Sequence, residues 1–263
     1  MALRAARGRG RIRPLAESLS LSLSGATPTP GAPEKVAVRS MFDRIAPRYD
    51  LLNRLLSAGT DVRWRRRAVD FLELDGPSHV LDVCTGTADL LLEALGRDPR
   101  HTGLGVDLSP RMLARGAAKL EGSGYAGRGR LVGGDGERLP VGDGLFDAVL
   151  VGFGIRNVGD VPLALREVLR ALRPGGRLAV LEFSMPKGVL GTAYRFYFRR
   201  VLPGIGGLVS GDASAYAYLP ASVARFPTPE AFARLMEEAG FRDVRWRLLS
   251  AGIACLHRGE KPA

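Results

Sequence analysis

Apolar and polar residues in the middle of this chain follow two periodicities, which predict strands and helices in alternation. Short apolar runs predict strands at 79–83, 102–106, 130–133, 146–151 and 176–182. Stretches in which apolar residues recur every three or four positions predict helices at about 88–97, 110–120 and 162–172. Since strand and helix alternate regularly, we expect an α/β fold with a parallel, doubly wound sheet covered on both faces.

The flanking regions follow different patterns. Residues 34–74 carry three amphipathic helical stretches, of which the first ends at Pro47 and the second at Gly59. Near the other end, a helix at about 230–239 precedes two short strands, at about 243–247 and 251–257. These two strands predict an antiparallel C-terminal hairpin, which brings the expected sheet to about seven strands.

Two segments do not fit this organisation. Residues 1–33 are rich in Arg, then Ser, then Pro and Thr, and we interpret them as a disordered tail or the result of a start codon placed too early. An organellar transit peptide is the weaker alternative. Residues 184–227 are rich in aromatic residues and Gly, and are interpreted as an inserted substrate lid, with additional packing as the alternative. The chain is thus expected to hold one domain, 34–263, with a dispensable tail.

Composition narrows the classes of partner. The formal net charge is +11, which favours an anionic partner such as nucleic acid or an anionic membrane surface. A basic cluster surrounds Trp64, and it indicates either a solvated helix face or a surface that meets phospholipid headgroups. The two cysteines, Cys84 and Cys255, lie in apolar runs and indicate reduced thiols in a cytosolic protein. No apolar run is long enough to span a bilayer.

The turn that follows the first strand is the first candidate binding site. The strand contains Asp82 at its end, and small residues including Gly86 and Thr87 then lead into a helix. Small residues let a ligand approach the backbone closely. A carboxylate at this point would repel a pyrophosphate but suits an amino group or a sulfonium. The turn therefore favours S-adenosylmethionine over a dinucleotide.

Two further acids follow the next two strands. Asp107 ends the second strand, where an acid can accept both ribose hydroxyls, and Asp135 follows the third, where it can accept the adenine amino group. The carboxyl ends of parallel strands meet at one edge of the sheet. Together with Asp82, these acids would surround the methionine, ribose and adenine parts of S-adenosylmethionine.

At this level of detail the sequence resembles class I S-adenosylmethionine-dependent methyltransferases, and more narrowly the ubiquinone/menaquinone biosynthesis C-methyltransferases. The matching stretches are 41–53, 55–57, 64–65, 86–89, 153–158, 173–178, 181–184 and 216–222. The run Phe153-Gly154-Ile155-Arg156-Asn157 is typical of this family, whereas the Arg-Pro-Gly-Gly turn at 173–176 occurs in many methyltransferases. The resemblance implies a Rossmann-like fold and methylation of a ring carbon of a polyprenylated quinol, such as demethylmenaquinol.

The resemblance also suggests roles for particular residues. It implies that S-adenosyl-L-methionine is bound by Asp82, Gly86, Thr87, Asp107, Asp135 and Gly136. Arg156 is expected to stabilise the quinol as its phenolate, directly or through a bound water, with a structural ion pair as the alternative. Asn157 is expected to orient the quinol, and Tyr49 to cover the reacting ring or hydrogen-bond to it. Three positions depart from the pattern: Cys84 and Ala88, where Gly is common, and Gly152, where Ser is common. The methyl group of Ala88 is expected to narrow the methionine end of the site.

Several alternatives remain open from the sequence. A methyltransferase for another small phenol or lipid is the first alternative, and an RNA methyltransferase is weaker because no base-flipping motif follows the fourth strand. A NAD-binding module lacks its G-x-G-x-x-G turn. We expect a cytoplasmic protein, peripheral on the inner face of the membrane, with no nucleic-acid partner and no metal. A homodimer, the prenyl length and the choice between menaquinol and benzoquinol are left open.

Overall fold

The computed structural model describes residues 34–57, 59–186, 188, 191–192 and 213–263. Its helices are α1 (Lys35–Ile45), α2 (Tyr49–Leu56), α3 (Thr60–Phe71), α4 (Asp89–Leu95), α5 (Pro110–Gly122), α6 (Val161–Ala171), α7 (Ala213–Arg225) and α8 (Pro229–Glu238). Its strands are β1 (His79–Val83), β2 (Thr102–Asp107), β3 (Gly129–Gly133), β4 (Phe146–Gly152), β5 (Leu172–Phe183), β6 (Arg242–Leu249) and β7 (Ala254–Glu260). The tail predicted at 1–33 and much of the lid predicted at 184–227 lie outside the described residues.

The seven strands form one mixed sheet in the order β3-β2-β1-β4-β5-β7-β6. The first five are parallel to one another, while β7 pairs antiparallel with both β5 and β6. This arrangement confirms the predicted fold class, including the C-terminal hairpin. Strand order reverses between β1 and β4, so the loops that follow these strands diverge and leave a crevice at their carboxyl ends, where α/β sheets bind ligands.

Side chains alternate between two apolar clusters, one on each face of the sheet. On one face, Val149 and Val151 of β4 pack with residues of α6 and α8. On the other face, Ala148 and Leu150 of β4 pack against α3 and α4. Because both faces of these strands are buried, their sequences are continuously apolar, as expected for a parallel sheet. Helix α3 is thereby fixed against the sheet, close to the crevice.

One local expectation needs correction. The Arg-Pro-Gly-Gly turn predicted at 173–176 lies inside β5, as an irregularity between Leu172, which pairs with Phe146, and Arg177, which pairs with Ala148. Gly175 has φ of 73°, a value that glycine adopts without steric cost. The structure also locates the centre of the basic cluster. Trp64 is buried and donates to the Ser250 hydroxyl over 3.0 Å.

The remaining surface of α3 is basic. Arg63, Arg66 and Arg67 are exposed, whereas Arg65 is buried. Among the described residues, no helix combines the length and the apolar character needed to cross a membrane.

His257 on β7 is a buried histidine that the fold holds neutral. Its Nε2 lies 3.0 Å from the Pro229 carbonyl oxygen, to which it must donate, and its ring meets the edge of Phe232. The Nδ1 atom is buried without a hydrogen-bond partner among the described residues. Burial lowers the pKa of His257 from 6.5 to about 4, because a proton on Nδ1 would place an unpaired charge in the core.

We therefore expect His257 to make the fold acid-sensitive. The unfolded chain binds a proton at this side chain below pH 6.5, and the folded chain does so only near pH 4, so stability is lost as the pH falls through this interval. Against a His257→Gln variant, which keeps an N–H donor, the wild type should lose about 3 kcal/mol more unfolding free energy between pH 7 and pH 4. Urea unfolding at several pH values measures this difference. Parallel pH profiles for the two proteins would contradict the assignment, since every other titrating group is common to both.

Candidate active site

Two adjoining cavities lie at the carboxyl ends of the strands. The space outside the protein atoms, including the part open to solvent, is about 690 Å³ in the larger and about 390 Å³ in the smaller. Five residues line both cavities, and the boundary that they form is called the neck: Tyr49, Cys84, Gly86, Gly152 and Phe153. The two cavities therefore adjoin at these five residues.

Asp107, at the end of β2, forms one wall of the larger cavity. Its Oδ2 accepts the Gly86 N–H over 2.8 Å, and its Oδ1 accepts the Ser109 N–H over 2.8 Å. Burial raises the pKa of this carboxyl group, and the backbone hydrogen bonds oppose the rise. Each carboxylate oxygen has a further lone pair, so Asp107 can still accept two hydroxyl groups from a ligand.

Asp135 and Gly136, which follow β3, line the same cavity as Asp107. The Oδ2 of Asp135 lies 2.6 Å from the Nζ of Lys35, which is also 2.7 Å from an oxygen of Glu137. The structure thus brings together the predicted ribose and adenine acids, but it also gives Asp135 a cationic partner that the sequence did not reveal.

Helix α1 supplies a wall of the larger cavity that was missed from the sequence. Lys35, Val38, Arg39 and Phe42 all line it. Their spacing of three or four residues places them on one helical face, which was a detectable signal for burial. The spacing did not indicate that this face of α1 lines a cavity and is not packed into the core.

Asp82 lines the smaller cavity and is almost completely buried. Its Oδ2 accepts the Thr85 hydroxyl over 2.6 Å and the Leu91 N–H over 3.2 Å. Its Oδ1 is buried and has no partner among the described residues. Burial raises the pKa of Asp82 to about 7. A buried acceptor without a donor is costly, so a cationic group of a ligand would satisfy this atom.

Thr87 also lines the smaller cavity, but its hydroxyl already has protein partners. It donates to Asp50 Oδ1 over 2.6 Å and accepts from the Nζ of Lys119 over 2.9 Å. Lys119 is further paired with Asp89. Thr87 therefore joins α2 and α5 to the turn after β1.

Ala88 does not narrow the site, and the expectation that it would is wrong. Its side chain is fully buried in a cluster with Leu91, Leu95 and Leu120, and it lines neither cavity. Its φ is 65°, so the reason that glycine suits this position is the left-handed backbone conformation. Cys84 has φ of 56° and does face the cavities.

Asn157 and Tyr49, two of the three predicted catalytic residues, line the larger cavity. The Asn157 Oδ1 accepts the Tyr218 hydroxyl over 3.0 Å, which fixes the orientation of the amide. Burial raises the pKa of the Tyr49 phenol, so it stays protonated at neutral pH and can donate a hydrogen bond.

Arg156 lies in a buried ion pair. Its Nη1 lies 2.7 Å from Glu182 Oε1, and the two side chains are only 7% and 1% exposed. The guanidinium also donates to the Phe153 carbonyl oxygen and to the Ser222 hydroxyl, and it does not line either cavity. The alternative of a structural ion pair therefore describes its position better than direct contact with a substrate.

Glu182 was not identified from the sequence as a site residue. It ends an apolar strand, which is the same signal that drew attention to Asp82 and Asp107, but it lies on β5 and was considered only as part of a motif. Burial raises its pKa, and the nearby Arg156 charge opposes the rise.

Comparison with known proteins identifies the family of this chain. A family model described as the ubiE/COQ5 methyltransferase family matches residues 31–261. The chain is 52% identical over 223 residues to a demethylmenaquinone methyltransferase of Thermus thermophilus, covering 84% of this chain and 100% of the relative. It is 50% identical over 226 residues to a ubiquinone/menaquinone biosynthesis C-methyltransferase of Geobacter sulfurreducens, covering 85% of this chain and 88% of the relative.

Solved structures show the same fold at much lower identity. The [4+2]-cyclase SpnF aligns with a TM-score of 0.68 at 20% identity, over 88% of this chain and 98% of its own. An S-adenosylmethionine-dependent methyltransferase from Thermotoga maritima aligns with a TM-score of 0.60 at 23% identity, over 85% and 99% of the two chains. Since a cyclase shares it, the fold alone does not define the reaction. The family match, which spans most of the chain, does define the group: the chain belongs to the ubiE/COQ5 methyltransferase family.

Proposed function

We propose that this protein transfers the methyl group of S-adenosylmethionine to a ring carbon of a polyprenylated quinol, converting demethylmenaquinol to menaquinol. The observation that carries the proposal is the pair of adjoining cavities: Asp107 lines one, and the other holds the Asp82 Oδ1, which has no partner among the described residues. This arrangement occurs in a chain about half identical to demethylmenaquinone methyltransferases along most of its length.

The residues around the cavities fit the cofactor. Asp107 would accept the ribose hydroxyls, and Asp135 with Gly136 would meet the adenine. Gly86, at φ of 55°, allows close approach of the ligand to the backbone. Asp82 would pair with the ammonium group, which would satisfy its orphan oxygen. Thr87 would support the turn through Asp50 and Lys119.

The quinol is proposed to react at the neck between the cavities. When bound, S-adenosylmethionine supplies an electrophilic methyl group on a sulfonium. Tyr49 would donate its hydroxyl proton in a hydrogen bond to a quinol oxygen, and Asn157, oriented by Tyr218, would hold the ring. Holding the reacting carbon and the methyl group in line accounts for most of the catalysis, because the leaving group is already activated.

Arg156 is proposed to have a positioning role: it holds other residues of the site in place and does not contact the substrate. Its bonds to Phe153, Ser222 and Glu182 fix the turn that presents Asn157 to the cavity. The negative charge of Glu182 reduces the electrostatic effect that the guanidinium can exert on a phenolate.

The protein is further proposed to bind the cytoplasmic face of an anionic membrane, where a polyprenylated quinol resides. The exposed Arg63, Arg66 and Arg67 of α3 would meet the headgroups, each adding about 1 kcal/mol.

The methylation itself is the first test. The purified protein, incubated with labelled S-adenosylmethionine and reduced short-chain demethylmenaquinone, should produce labelled menaquinol detectable by mass spectrometry.

Asp107→Ala should weaken cofactor binding in calorimetry by about 1.5–3 kcal/mol, since a charged acceptor is lost. Asp143→Ala, which removes an exposed carboxylate paired with Arg170, is the control and should bind as the wild type does. A wild type that binds the cofactor but methylates no quinol would refute the proposed substrate. A parallel incubation with a benzoquinol tests the alternative substrate.

The second prediction concerns the Arg156–Glu182 pair. Arg156→Ala should cost about 3–5 kcal/mol of stability, because it leaves Glu182 buried without its counter-ion. Adding Glu182→Gln removes the stranded charge, so the double variant should regain most of the stability and part of the turnover. Chemical denaturation and initial rates measure the two effects. A double variant that is stable yet wholly inactive would instead support a direct catalytic role for Arg156.

The third prediction concerns the membrane. The Arg63→Gln/Arg67→Gln double variant should float with anionic liposomes less than the wild type, and wild-type flotation should fall as salt increases. Arg166→Gln, an exposed change on α6 at the opposite face of the sheet, is the control. Wild-type binding that is independent of lipid charge and salt would count against an electrostatic attachment.

A further inference from the structure

Arg65 is the one member of the basic cluster on α3 that points inward. Its side chain is 10% exposed, and its Nη1 lies 2.8 Å from Asp61 Oδ2 and 3.2 Å from Asp89 Oδ2. The neighbouring Arg66 is exposed and lies 3.8 Å from Glu93. A buried guanidinium needs specific partners, which the exposed arginines of this helix do not.

The two acids hold Arg65 in place without occupying all the N–H donors of its guanidinium group. Asp89 is also paired with Lys119, and Asp61 also accepts the Ser57 hydroxyl over 2.9 Å, so neither acid belongs to Arg65 alone. A guanidinium has five N–H donors in a planar fork, and both acids approach the same nitrogen. The contacts to Asp61 and Asp89 therefore fix the side chain without using its whole donor set.

Among the described residues, three charged side chains line the smaller cavity: Arg65, Asp82 and Asp89, of which Asp89 is already paired with Arg65 and Lys119. Among the described residues around it, Arg65 supplies the only cationic side chain. Asp82 supplies the buried carboxylate oxygen that has no partner. One cation and one unsatisfied carboxylate complement a ligand group with one negative and one positive charge, which is the form of an amino acid at neutral pH.

We propose that Arg65 binds the α-carboxylate of the methionine part of S-adenosylmethionine, while Asp82 takes its α-ammonium. The inference rests on the proposed function for the identity of the cofactor, and it adds a recognition residue from α3, outside the strand-end loops. The adenosine part would occupy the larger cavity with Asp107, and the neck formed by Tyr49, Cys84 and Phe153 would surround the sulfonium.

The electrostatics of the site agree with this geometry. Burial raises the pKa of Asp82 to about 7, and the Arg65 charge opposes the rise. Burial likewise raises the pKa of Tyr49, and the charges of Arg156 and Arg65 oppose it. The Arg65 charge therefore acts on groups that line the smaller cavity, and it is not confined to the surface of α3.

The test measures binding and does not depend on turnover. Calorimetry compares three ligands: S-adenosylhomocysteine, its decarboxylated analogue S-adenosyl-3-thiopropylamine, and 5′-methylthioadenosine, which lacks the whole amino acid. The wild type should bind S-adenosylhomocysteine about 10- to 100-fold more tightly than the decarboxylated analogue, as expected for a charge-assisted hydrogen bond. Arg65→Gln should lose this preference while keeping its affinity for the two ligands without a carboxylate. Arg65→Lys should fall between, because it keeps the charge but not the fork.

Matched variants distinguish recognition of the carboxylate from a purely structural role of Arg65. Arg66→Gln, next to Arg65 but exposed, should keep the wild-type preference. Equal losses for all three ligands in Arg65→Gln would show a structural role alone and overturn the proposal. If that variant does not fold, the wild type and Arg65→Lys decide: a wild type without preference for the carboxylated ligand, or a Lys variant with the full preference, overturns it. A wild type that binds none of the adenosyl ligands would instead refute the proposed function.

Discussion

A carboxylate removed from water must find donors or lose its charge, and this constraint organises the carboxyl edge of the sheet. Asp107 is satisfied by the backbone of two loops, which ties the turn after β1 to the end of β2. Glu182 is satisfied by Arg156, which ties β5 to the turn after β4. Among the residues that the structure describes, Asp82 has donors to one of its two oxygens only. The satisfied acids build the frame of the site, and the partly satisfied one leaves an interaction for a ligand to complete.

The same acids show how much could be predicted from the sequence. A charged residue at the end of an apolar strand is conspicuous, and the parallel topology then requires Asp82, Asp107 and Asp135 to meet at one edge, as the structure shows. Strand positions were predictable for a similar reason, since strands buried on both faces must be apolar throughout. These features depend on local periodicity and on topology, both of which can be recognised in the amino-acid sequence.

What could not be predicted is the direction in which individual side chains point. Arg156 follows a strand end, as the acids do, yet it turns to Glu182 because a buried counter-ion outweighs solvation in the cavity. Ala88 lies in the turn, yet its left-handed backbone directs the methyl group into the core. Arg65 and Arg66 are adjacent and chemically identical, yet helical geometry buries one and exposes the other. The contacts that decide these outcomes, such as Arg156–Glu182 and Arg65–Asp89, join residues distant in sequence, which local periodicity does not reveal.

The wall that α1 contributes to the larger cavity is not held equally firmly along its length. Along the edge nearest Asp135, that wall is fastened by Lys35, whose side chain is 35% exposed, and ion pairs so accessible to water contribute only about 0–1 kcal/mol. This end of the helix is therefore held less firmly than its middle, where Val38 and Met41 are buried. The cavity thus has a floor fastened by a buried pair and a wall fastened at one end by ion pairs that salt in the solvent weakens.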